Sequence, residues 1–124
     1  ARAAGVDHLV AVVPYADLDR AVIDGHTEGM CKLIVARQDR RLIGAHIVGE
    51  QAVEVLQIVA AGMAAGMGIE HLAALELAYP TYSAIAGLAA RAILRALDGG
   101  PEIAPTADDR RTPPAAEWEQ RADD

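Results

Sequence analysis

GMCKLIVARQDRRLIGAHIVGE, Gly29 to Glu50, is the stretch whose reading decides the fold. Met30 to Arg37 is apolar and rich in strand formers, Gln38-Asp39-Arg40 is a polar break, and Arg41 to Val48 resumes the apolar run. Two such runs joined by a short polar turn predict an antiparallel hairpin. Within the first run Lys32, Ile34 and Ala36 alternate with Cys31, Leu33 and Val35. Successive strand residues face opposite ways, so one face should be more buried than the other.

Working outward, HLVAVVPY before the hairpin reads as a further strand ending at Pro14, and ARAAG as the end of a helix closed by Gly5. A chain that opens in mid-element is expected to be a fragment of a longer one. ADLDRAVIDG reads as a polar connection with one helical turn. After the hairpin, Val55, Leu56, Val59, Ala60 and Met63 recur with helical period, predicting a helix over 51–66. GIEHLAAL reads as a short helix with Gly68 as N-cap, and Thr81 as the cap of a third helix, Tyr82 to Leu97. That third helix is Ala-rich and apolar nearly all round, so part of its cover is expected from a partner subunit. Strands followed by helices predict an α+β domain: an antiparallel sheet of about three to four strands with helices on one face. Residues 1–98 form the domain, and 99–124 a Pro-rich, acidic, aperiodic tail.

Composition narrows the function. The chain has 124 residues, enough for one domain, and a net charge of -7 with Lys32 as the sole lysine. Phosphate neutralisation needs basic clusters, so nucleic-acid binding is not expected. No apolar run approaches the roughly 20 residues of a membrane helix, and the first residues lack the shape of a signal peptide. Cys31 is the only cysteine and cannot close an internal disulfide, which fits a reducing cytoplasm. There is no Phe, so the core is expected to be built from Ala, Val, Leu and Ile.

Candidate chemistry is sparse. His8, His26, His46 and His71 show none of the close spacing of metal ligands. Gly44 and Gly49 flank a strand-to-helix step but lack the spacing of a phosphate loop; there Gly49 turns the chain and Glu50 favours the helix start. Tyr79-Pro80-Thr81-Tyr82-Ser83 remains. Locally it reads as a helix start, although Ala84 stands where a capping box would place Glu or Gln.

Three pieces in register resemble one family. DRAVIDGHTEGMCKLIV resembles an Arg-Ala pair followed by a Gly-x-x-Lys-Leu strand. RLIGAHIVGEQAVEVL resembles an Ile-Leu-Gly-Ala-His-Ile-Val-Gly strand and its helix, and YPTYSA a His-Pro-Thr-x-Ser-Glu motif. Together, over about Ala1 to Leu97, they resemble the C-terminal dimerisation domain of the pyridine nucleotide-disulfide oxidoreductases. That family includes dihydrolipoamide dehydrogenase, glutathione reductase and mercuric reductase. The resemblance implies FAD and NAD(P)H domains upstream in a full-length enzyme, with no cofactor bound by this chain alone. It also implies one more strand before ARAAG, a homodimer, and a domain that completes the partner's flavin site.

By the same resemblance Tyr79 occupies the position of the family's acid/base His, and Ala84 that of the Glu that orients it. Tyr79 and Pro80 are expected to face the partner's flavin, and Tyr82, Ile85, Leu88 and Ala89 to form the subunit interface. A phenol, with a reference pKa near 10, is a poor proton shuttle at neutral pH, so weak turnover of glutathione-like or lipoamide-like disulfides is expected. The alternatives are a free-standing, non-catalytic dimerising module and a small-molecule binder using a pocket shared by Tyr79 and Tyr82.

Overall fold

A computed structural model describes residues 1–100. The expected tail, 99–124, therefore lies outside the described residues from position 101 onward. Strand β1 (His8–Pro14) precedes helix α1 (Asp19–Asp24). The hairpin follows as β2 (Gly29–Ala36) and β3 (Leu42–Gly49), then helices α2 (Ala52–Ala64), α3 (Ile69–Ala74) and α4 (Ala84–Leu97). This is the expected α+β arrangement, with three antiparallel strands in the order β1-β2-β3. At the start, ARAAG forms a single 3₁₀ turn, closed by Gly5 in the left-handed conformation.

The register explains the core. Val13 pairs with Cys31 and Cys31 with Ile47, Ala11 with Leu33 and Leu33 with Ala45, and Leu9 with Val35. These residues share one face, as period-two alternation requires. Near the hairpin tip the pairing shifts: Ile34 opposes Gly44, but Val35 opposes Leu42. The skipped residue, Ile43, marks a bulge, which keeps Leu42 on the buried face while Ile43 turns outward. Helix α4 packs on β1 and β2, and α2 packs on β3. The hairpin tip is itself anchored, since the Arg40 carbonyl accepts from Ile69 N–H at 2.9 Å and Arg40 Nη1 donates to Glu70 Oε1 at 2.8 Å.

Two expectations about helices change. Helix α4 starts at Ala84 after Ser83, and Thr81 does not cap it: the Thr81 hydroxyl turns back and donates to the Ala78 carbonyl at 2.6 Å. Nor does α4 wait for a partner. Nine of its residues, from Ala84 to Ala90 and again at Ala92 and Ile93, are buried within the chain by the sheet and α3. Helix α2 is the opposite case. Only Val55, Val59 and Gly62 are buried, while Val53 (69% exposed), Leu56 (40%), Ala60 and Met63 (38%) face outward. Glu50, expected at the helix start, precedes Gln51, which begins the helix from a left-handed conformation; the acid in the first turn is Glu54.

Candidate functional site

The chain's three tyrosines, Tyr15, Tyr79 and Tyr82, are spread over 68 residues of sequence, yet each donates its hydroxyl hydrogen to an acceptor on or beside α1 and α2. Tyr15 lies just after β1, fully buried, and donates to the Glu50 carbonyl at 2.7 Å. Its ring packs in a tilted arrangement on Tyr82, with centroids 5.8 Å apart. Gly49 makes room for that ring: a Cβ there would stand 2.7 Å from Tyr15 Cε2, and its φ of 132° suits only glycine. Tyr82 donates to Asp24 Oδ2 at 3.0 Å, and Arg20 Nε donates to the same oxygen at 2.8 Å across one turn of α1. Tyr79 donates to Asp19 Oδ2 at 2.8 Å.

Electrostatics follow the geometry. Burial lifts the Tyr15 phenol above its ordinary value, helped by Cys31, Tyr82 and Glu50. Burial also lifts Tyr82, and the hydrogen bond to Asp24 and its negative charge add to the effect. At Asp24 partial desolvation pushes the carboxyl up. The hydrogen bonds from Arg20 and Tyr82, with the Arg20 and His26 charges, outweigh it, so Asp24 sits below the usual carboxylate range. Cys31 is fully buried on β2, and burial pushes its thiol to about 12, which suits a packing residue rather than a nucleophile. Asp17 is the outlier. Its Oδ1 is buried with no hydrogen-bond partner among the described residues, and desolvation raises the carboxyl to about 6.

Each residue singled out in the sequence can now be placed. Tyr79 is 58% exposed, on a turn that carries a cis Tyr79-Pro80 bond. Ile85 and Ala89 are fully buried and Leu88 is 7% exposed, so these three serve the chain's own core. Tyr82 is half-buried and reaches a cleft of about 450 Å³ whose lining includes Arg20, Asp24, Glu50, Glu54 and Pro80. Tyr79 borders a different, smaller hollow beside Leu75, Glu76 and Arg91. The pocket expected to be shared by Tyr79 and Tyr82 therefore divides in two. Among the described residues no cluster of His, Cys, Asp or Glu could hold a metal ion, and no helix is long and apolar enough to cross a membrane.

Sequence reasoning missed two features. One is the outward face of α2; the signal was there, because Leu56, Ala60 and Met63 belong to the same apolar pattern as Val55 and Val59, and two sets cannot both point inward. The other is the carboxylate of Tyr79. Ala84 stands at the position of the family's Glu, and Asp19, 60 residues away, accepts from the phenol.

Comparison with known proteins gives a consistent picture. The family described as "Pyridine nucleotide-disulphide oxidoreductase, dimerisation domain" matches residues 1–89. The soluble pyridine nucleotide transhydrogenase of Mycobacterium tuberculosis is 38% identical over 78 residues, covering 63% of this chain and 17% of that protein. The dihydrolipoyl dehydrogenase of Geobacillus stearothermophilus is 36% identical over 90 residues, covering 73% of this chain and 19% of that protein. The chain thus spans about a fifth of the length of these relatives. Among solved structures, the HOCl-induced flavoprotein disulfide reductase of Escherichia coli superposes with a TM-score of 0.70 at 28% identity, over 73% of this chain and 21% of that one. The NAD-dependent persulfide reductase of A. fulgidus gives a TM-score of 0.65 at 28% identity, over 79% and 19%.

Proposed function

The chain belongs to the dimerisation domain of the pyridine nucleotide-disulphide oxidoreductases, and from that premise we propose that it pairs two subunits of a flavin-dependent, NAD(P)H-linked oxidoreductase and completes the partner's active site with Tyr79. Full-length members of the family use FAD and NAD(P)H. In this reading electrons pass from NAD(P)H to FAD to an acceptor, in the cytoplasm, and residues 1–98 act as the interface unit of a homodimer.

One observation carries the reading: a domain that encloses its own core still turns apolar surface outward, at α2 and at the Tyr79-Pro80 turn. Val53, Leu56, Ala60 and Met63 follow helical spacing on the exposed side of α2, the pattern of a helix packed against another. A twofold axis would lay one α2 against its copy, so this face replaces Ile85, Leu88 and Ala89 as the proposed contact. The flavin itself would be held elsewhere in the full-length enzyme. The cleft at the start of α2 is lined by Asp24, Glu50 and Glu54 beside Arg20 and His26, an acidic excess that disfavours a diphosphate, and α2 does not begin on a glycine-rich loop. Tyr79 and Pro80 are the residues that would meet the partner's flavin site.

Subunit mixing tests this. One full-length subunit carries a disrupted flavin site with Tyr79 intact, and the other carries Tyr79→Ala with its flavin site intact. If Tyr79 acts across the interface, each variant alone is impaired and the mixed dimer recovers turnover. Recovery would fail on mixing if Tyr79 acts within its own subunit or not at all.

A further inference from the structure

The sheet has two faces, and the helices use one. Leu9, Ala11, Val13, Cys31, Leu33 and Val35 share a buried cluster with residues of α2, α3 and α4. The residues between them point the other way. On that side Val10 opposes Ile34 and Ile34 opposes Gly44, Val12 opposes Lys32 and Lys32 opposes His46, and Pro14 opposes Met30 and Met30 opposes Val48. An antiparallel sheet with one face on the core ordinarily turns polar residues to the other. In these three rows only Lys32 and His46 are polar. Ile34 lies across the third strand, since a Cβ on Gly44 would stand 3.4 Å from Ile34 Cδ1. Val48 is 58% exposed, and Val12, on the edge strand β1, is 7% exposed yet stands outside the core cluster. The face is apolar where solvent alone would favour polar side chains.

Its charge is also distinctive. The three rows carry no carboxylate, in a chain of net charge -7, and they hold the sole lysine. The sequence beyond Gly100 is the complement. Residues 101–124 include seven acidic and three basic side chains, and the chain's only tryptophan, Trp118, stands between Glu117 and Glu119. Reach is no obstacle. The eighteen residues from Gly100 to Trp118 span up to about 60 Å when extended. A domain of about 100 residues has a radius of gyration of only about 13 Å.

We propose that the outer face of the sheet is a docking surface for the chain's own segment 101–124, with Trp118 against the apolar rows and Glu117 and Glu119 toward Lys32. A tryptophan supplies a large apolar contact. Exposed ion pairs add little, so the ring carries the docking and the carboxylates set its register on the lysine. This docking is independent of the flavoenzyme reading and uses a different surface from the outward side of α2.

Trp118 is its own reporter, because no other tryptophan contributes to the fluorescence of the chain. The native chain is expected to emit to the blue of free tryptophan and to resist quenching by acrylamide. Val48→Glu, at an exposed position of the face, and Lys32→Glu are each expected to move the emission to the red and to raise quenching several-fold, with circular dichroism unchanged. Leu56→Glu, on α2, is expected to leave both as they are. Native emission like that of free tryptophan would overturn the proposal, and so would a blue emission that the two face variants leave in place or that Leu56→Glu removes. A second measurement needs no variant. Carbodiimide joins amines to carboxylates in contact, and Lys32 is the only lysine side chain available to it. Mass spectrometry of the treated native chain is expected to find Lys32 joined to Glu117 or Glu119; a Lys32 joined to no carboxylate of 101–124 would overturn the proposal.

Discussion

Helices α4 and α2 are both apolar around most of their circumference, and they meet opposite fates. Helix α4 lies across β1 and β2 with α3 on its flank, and nine of its fourteen residues are buried. Helix α2 lies at the β3 edge, and three of its thirteen residues are buried. The difference is one of position. A helix that spans two strands with a second helix on its flank is enclosed by its neighbours, while one over a single edge strand keeps a side that none of the described residues covers. An all-apolar helix therefore signals that cover is needed, and the topology decides whether the chain or a partner provides it. Here α4 is core and α2 is the proposed contact.

The sharpest way to break this comparison is to truncate one residue on each helix. Ile85→Ala on α4 should cost about 3 kcal/mol in chemical denaturation, as large-to-small changes at enclosed sites do. Leu56→Ala on α2 should cost the folded subunit less than about 1 kcal/mol, because its side chain is already 40% exposed. Equal losses at the two sites would mean that the helices are not distinguished as described.

Asp17 sharpens the comparison on the polar side. It follows β1, near the buried Tyr15, and its Oδ1 has no partner among the described residues. Its folded pKa of about 6 lies above the ordinary carboxylate value, so the folded state binds the proton more tightly than the unfolded state. The protonated form is favoured on folding, and stability falls as pH rises from about 4 to about 6. Asp17→Asn should then stabilise the chain by about 1 kcal/mol at pH 7, after allowance for partial solvent screening. The gain should shrink toward zero by pH 4. Urea titrations at the two pH values check it, and a gain independent of pH would show that ionisation of Asp17 is not its source.

Much of the fold was legible because its signals are local. The alternation of Cys31, Leu33 and Val35 with Lys32, Ile34 and Ala36 marks a strand with one face more buried than the other, and the structure puts Cys31, Leu33 and Val35 on that face. Gly5, Gly66 and Gly68 punctuate the elements they were expected to punctuate. Burial was less legible. Leu56 and Val59 are indistinguishable as sequence, and only the place of α2 over β3 turns one outward and the other inward. The site was least legible, because its bonds are long-range: Tyr79 to Asp19 spans 60 residues and Tyr82 to Asp24 spans 58. Thr81 shows the same limit at short range. Its hydroxyl could serve the helix after it or the carbonyl before it, and the turn geometry chose Ala78.

The most direct test of the central claim is the solution mass of the chain by light scattering, for the native sequence and for Leu56→Glu on α2. The account predicts a dimer for the native chain and a folded monomer for the variant, with circular dichroism unchanged. A variant that remains dimeric would contradict α2 as the contact, and a native chain that stays monomeric at high concentration would contradict pairing through this domain alone.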